Sequence, residues 1–130
     1  MHDSCIEIVQ SGVRMNKTMK IQKNKPWGHE VIWAKTDKYV GKLLVIQPNQ
    51  RLSLQYHEKK EETIYVLEGH LQVWNTDNDN EYMVYGTGST FHVIPNQIHR
   101  FGAGDEKVKL IEVSTPELDD VVRLSDDYSR

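Results

Sequence analysis

From Trp27 onward the chain is cut into short apolar runs by turn-forming residues, and that rhythm rules out most folds. Runs at 30–34, 40–47, 51–56, 63–67, 71–74, 82–85, 90–94, 98–101 and 108–113 are rich in β-branched and aromatic side chains. Gly69, the polar cluster from Thr76 to Asn80, and Gly88 separate several of them. Short strands at this spacing predict an all-β sandwich or barrel. The length of 130 residues suits one domain, and 38% hydrophobic residues supply a modest core. Residues 1–24 stand apart. The stretch from Ser11 to Lys25 holds five lysines or arginines and few core residues, so 1–24 reads as a mobile N-terminal arm, with a short strand open around Ile6, Ile8 and Val9. Residues 25–130 read as the single folded domain. Residues 116–124 fit either a helical turn or a short strand, and Asp126, Asp127 and Tyr128 a final surface turn.

A formal net charge of -3 and the lack of a basic run interleaved with aromatics argue against a nucleic-acid partner. Cys5 is the one cysteine, so no internal disulfide is possible, and it reads as a free thiol on the tail. The first residues have no positive n-region and no long apolar stretch, and no segment is apolar enough to span a bilayer. A cytoplasmic protein without membrane contact is expected.

Four residues suggest chemistry: Gln55, His57, Glu62 and His99. Strand alternation puts Arg51, Ser53, Gln55 and His57 on one face, and Leu52, Leu54 and Tyr56 on the other. A polar inner row is costly in a dry core and makes sense lining a wet cavity. Glu62 shares a face with Ile64 and Val66, and His99 shares one with Phe101. If the strands curl into a small barrel, these side chains meet near one rim, with His99 arriving from the opposite sheet. Two imidazoles, a carboxylate and an amide oxygen suit a divalent cation that keeps room for water or substrate. Each alone would ordinarily be structural; their joint spacing favours metal. His29, His70 and His92 lack such company and read as sheet or turn residues.

These residues carry a resemblance to the cupin superfamily, whose fold is a small double-stranded β-helix. In its first motif, Asn49 stands at the leading glycine and Gln55 at the first histidine, followed by His57, Glu62 and Gly69. Asn tolerates the left-handed turn that glycine would supply. In the second motif Gly88 and His99 match, while Ile94, Asn96 and Ala103 depart at the Pro, Gly and Asn positions. More narrowly, Lys25-Pro26-Trp27-Gly28, Arg51 to His57, Pro95 with His99-Arg100, Leu110 to Val113 and Asp119 to Leu124 fall in one order. That string resembles the isomerase domain of type II mannose-6-phosphate isomerase/GDP-mannose pyrophosphorylases. Their nucleotidyltransferase half has no counterpart in these residues, so guanylyl transfer is not expected of them.

The resemblance implies a metal-dependent isomerase converting mannose 6-phosphate to fructose 6-phosphate, with zinc held by Gln55, His57, Glu62 and His99. Arg51 and Arg100 are then the expected phosphate or enediolate partners, because a guanidinium offers a planar fork of donors. Lys25 and Ser53 join Arg51 in substrate binding. Glu112, on the face of Leu110, is the expected general base, its pKa raised by desolvation, with metal-bound hydroxide and Glu61 as rivals for that role. Two alternatives remain open: a non-catalytic metal-binding cupin that binds or senses a sugar, and a metal-dependent oxygenase using His57, Glu62 and His99. Exposed sheet edges on a small barrel favour a homodimer.

Overall fold

The computed structural model describes residues 15–129, so Cys5 and the strand expected around Ile6 lie outside the described residues. Strand β1 is Ile21–Lys25, β2 Gly28–Lys35, β3 Val40–Ile46, β4 Leu54–Tyr56, β5 Glu62–Glu68 and β6 Leu71–Trp74. It continues with β7 Tyr82–Tyr85, β8 Thr90–Val93, β9 Arg100–Ala103, β10 Val108–Ser114 and β11 Val122–Ser125. Among the described residues there is no helix, and so none long and apolar enough to cross a membrane. Residues 21–24, assigned to the arm on sequence, form most of β1 and pair antiparallel with β2.

A six-stranded sheet runs β1-β2-β3-β10-β5-β8. A three-stranded sheet runs β7-β6-β9, and β11 pairs with β4. Bridges Arg51–Gly102 and Gln55–His99 stitch the β4 region to the β9 edge, so the smaller sheets act as one wall facing the large one. This is the double-stranded β-helix expected from the sequence. The side-chain pattern explains the layering. In β5, Glu62, Ile64 and Val66 are buried and Thr63, Tyr65 and Leu67 are exposed. In β10, Val108, Leu110, Glu112 and Ser114 point inward. β3 lies between β2 and β10 and is buried along almost its whole length, as a central strand in a near-continuous apolar run should be.

The core is Trp27, Leu44, Ile46, Leu52, Ile64, Val66, Leu71, Val93, Phe101, Ala103, Val108 and Leu110. Each large aliphatic or aromatic side chain sequestered there contributes about 1.5–3 kcal/mol of hydrophobic stabilisation. Two turn positions matter. Asn49 (φ 62°) and Asn96 (φ 69°), which stand at glycine positions of the two cupin motifs, do adopt the left-handed conformation. At the start of β2, Gly28 (φ 152°) brings its backbone so close to β3 that a Cβ would lie 1.9 Å from the Val45 carbonyl oxygen.

Candidate metal centre and its cavity

His57 follows β4, Glu62 opens β5 and His99 precedes β9. All three are buried. Each offers a ligand atom, and these atoms lie within 4.8 Å of one another. The layering differs from the expectation in one respect. His99 is bridged to Gln55 and so belongs to the same wall as the first pair; it is Glu62 that comes from the opposite, six-stranded sheet.

The two imidazoles are fixed in one tautomer. His57 Nδ1 lies 2.6 Å from the Asp120 carbonyl oxygen, and His99 Nδ1 lies 2.9 Å from the Gln97 carbonyl oxygen. A carbonyl only accepts, so in each ring Nδ1 carries the hydrogen and Nε2 of the neutral ring presents a lone pair. Those Nε2 atoms are buried without a hydrogen-bond partner. They sit 3.3 Å and 3.2 Å from Glu62 Oε2. Where both rings are neutral, three acceptors converge, an arrangement relieved by a bound cation or, in its absence, by a ring Nε2–H donating to Glu62. The donor set fits a divalent metal on this ground. Gln55 lines the adjoining cavity, and Ser53 Oγ donates to its Oε1 at 2.8 Å, orienting the amide.

The cavity holds more charge than the sequence led us to expect. Glu30, Lys42, Lys60, Glu62 and Glu112 all line it and all are buried. Lys42 Nζ pairs with Glu30 at 3.3 Å. Lys60 Nζ lies 3.3 Å from Glu62 and 3.1 Å from Glu112. Burial works against the Lys60 charge, but Glu112 and Glu62 outweigh it and hold the ammonium protonated above the usual range. For Glu62, burial again opposes ionisation, but His57, His99 and Lys60 prevail and hold its carboxyl well below the usual range. Glu112 goes the other way: burial, with the neighbouring Glu62 charge, pushes it up to about 7. Adjacent carboxyl groups are thus driven apart, Glu62 toward its ionised form and Glu112 toward its protonated one.

Several expected site residues lie elsewhere. Arg51 donates from Nε and Nη2 to Asp127 at 2.6 Å and 2.9 Å, and from Nη1 to Asp79 at 3.2 Å. Its guanidinium also stands over Trp74, 5.4 Å from the ring centroid. The acidic partners raise its pKa further, against a smaller desolvation penalty. It is therefore committed to the outer surface of the wall, and the expectation that it faces substrate is corrected. Alternation fails because the ladder breaks at 52–53, and Leu52 and Gln55, three residues apart, both line the cavity. Arg100 is buried but donates to the Leu52 and Ser125 carbonyls, joining strands rather than facing the cavity. The Ser53 hydroxyl is likewise engaged with Gln55 rather than available to substrate. Lys25 and Glu112 do line the cavity.

Sequence reasoning missed Lys60, Arg123 and the Glu30–Lys42 pair. Lys60 was hidden in the charge run Glu58 to Glu61. Lys42 shares the inward face with Leu44 and Ile46, and Glu30 with Ile32, so alternation held the signal for that pair. Arg123 is exposed at the cavity mouth, in register with Gln55 across β11 and β4. The segment before it forms the cavity's outer wall through Leu118 and Val121. The expected surface turn at 126–128 instead ties down the chain: Asp127 holds Arg51, and Tyr128 packs on the core and donates to Gln50 at 2.7 Å. Of the remaining histidines, His92 pairs with Glu61 on the surface at 2.6 Å.

Known proteins share the sequence pattern and the fold of this chain. The chain is 31% identical over 104 residues to the mannose-1-phosphate guanylyltransferase RfbM of Salmonella typhimurium, covering 77% of this chain and 21% of that protein. It is 31% identical over 110 residues to the alginate biosynthesis protein AlgA of Pseudomonas aeruginosa, covering 82% and 22%. It therefore spans about a fifth of the length of these relatives. Among solved structures, KdgF from Halomonas sp. superimposes with a TM-score of 0.66 at 19% identity, covering 77% of this chain and 91% of that one, a likeness of fold. Residues 12–126 match the family described as mannose-6-phosphate isomerase C-terminal, and the chain belongs to that family of cupins.

Proposed function

We propose that the chain is a metal-dependent aldose–ketose isomerase acting on a sugar phosphate, with mannose 6-phosphate to fructose 6-phosphate as its reaction. The observation that carries this reading is the convergence of two orphaned imidazole lone pairs on Glu62, beside a cavity lined by Glu112. Family membership supports the same chemistry. His57, Glu62, His99 and the Gln55 amide oxygen would hold the ion, with zinc the expected metal. When bound, it supplies Lewis acidity to the substrate's carbonyl and neighbouring hydroxyl oxygens.

The chain's own residues do the proton work. Glu112, ionised near neutrality, takes the hydrogen from C2 of the open-chain aldose and returns it to C1. The O2 hydroxyl proton passes to O1 through the enediol, so no atom is gained or lost. Lys60, 3.1 Å from Glu112, keeps a fixed positive charge beside that exchange. Leu52, Phe101, Leu118 and Val121 exclude water from the reacting carbons. Lys25 and Arg123, which line the cavity as Arg51 and Arg100 do not, are the cations nearest to hand for the substrate phosphate.

A coupled assay of mannose 6-phosphate conversion on zinc-loaded protein tests the reading. Glu112→Gln is expected to lower kcat by about 10²–10⁴-fold while metal content stays whole. Zinc-loaded wild type that turns over no hexose phosphate would sink the proposal. Native protein carrying iron instead of zinc would point to the oxygenase alternative.

A further inference from the structure

Within the motif Asp119 to Leu124, Asp120 takes no part in the reaction above, yet it touches the site from outside. Asp120 makes two kinds of contact with the turn joining β4 to β5. Its carboxylate accepts the backbone N–H groups of Glu58 at 3.1 Å, Lys59 at 2.7 Å and Lys60 at 2.9 Å. Its own carbonyl accepts His57 Nδ1–H at 2.6 Å. One residue therefore clamps the turn that carries His57 and Lys60, and selects which His57 nitrogen keeps its lone pair.

We propose that Asp120 is a positioning residue for the metal centre, setting the His57 tautomer and the placement of the β4–β5 turn from a segment more than 60 residues downstream. It rests on the reading of His57 as a ligand only in its consequence for metal binding; the tautomer it sets is a property of the metal-free protein. A carbonyl that orients a ligand histidine from behind is typically worth 10–100-fold in metal affinity. The Asp120 carbonyl survives any side-chain substitution. The side chain acts by anchoring the segment, so losing its three contacts lets that carbonyl drift from Nδ1.

The test uses the whole chain and three variants. Asp120→Ala removes the clamp, and Asp120→Asn restores an acceptor oxygen. Asp127→Ala loosens the same C-terminal segment at its other tie, Arg51, without touching the His57 turn. Nitrogen NMR of metal-free protein above the histidine titration range is expected to show His57 protonated on Nδ1 in wild type and Asp127→Ala. In Asp120→Ala it should show a mixture of tautomers, with Asp120→Asn between. Zinc affinity, measured against a chromophoric chelator, is expected to fall about 10–100-fold in Asp120→Ala and less than threefold in Asp127→Ala. Equal losses in Asp120→Ala and Asp127→Ala would reduce the effect to general loosening and overturn the proposal, as would an unchanged His57 tautomer in Asp120→Ala. Wild type that binds no zinc but shows the tautomer shift would defeat the isomerase reading and leave the positioning role standing.

Discussion

Lys60 shows how far a side chain's role departs from its local company. It sits among Glu58, Lys59 and Glu61, a run that reads as a solvated surface, yet it is buried between Glu62 and Glu112. Removing one partner of a buried ion pair leaves an uncompensated charge behind. Lys60→Met is therefore expected to destabilise the metal-free protein by about 3–5 kcal/mol, read from the urea midpoint. A change below about 1 kcal/mol would mean the two carboxyl groups share a proton instead. The contrast with Glu112 is instructive. Its inward position was legible because Val108, Leu110 and Glu112 keep strict alternation along an unbroken ladder with β3. Arg51 was misjudged because the ladder stops just after it. Nothing in the one-dimensional pattern marks where pairing with Gly102 gives way to pairing with His99.

At the scale of elements, the sequence displayed its strands and hid their partners. The runs at 40–47, 63–67 and 108–113 became β3, β5 and β10, which pair side by side. The ambiguous stretch at 116–124 resolved into a loop and β11 only because β4 offers it an edge. That edge is a tertiary fact with no local signature. The β2–β3 pairing has a sharper signature, at Gly28. A methyl there would collide with the Val45 carbonyl, in a backbone conformation that other residues seldom adopt. Gly28→Ala is expected to cost about 2–4 kcal/mol, measured by thermal or urea unfolding. An unaffected midpoint would show that β2 can shift away from β3 freely.

For the molecule as a whole, two acidic residues tether the final segment to the barrel. Asp127 has its pKa lowered chiefly by Arg51, and Asp120 chiefly by the Lys59 amide. Both bind protons less tightly folded than unfolded. The stability they provide is complete above the ordinary carboxylate pKa of about 4, and is lost as pH falls through their lower folded values. Hydrogen exchange at the β11 amides is expected to accelerate, relative to its intrinsic rate, as pH falls below about 4, and Asp127→Asn should already show part of the loss at pH 6. Protection that stays constant over that range would mean β11 is held by its pairing with β4 alone. The dependence of His57 on Asp120 also has a temporal side. A nascent polypeptide emerging from the ribosome will have finished β3, β5 and β10 before the carbonyl that orients His57 exists in folded form. A chain cut between residues 115 and 119 would carry every strand through β10 and still lack the carbonyl that turns the His57 imidazole.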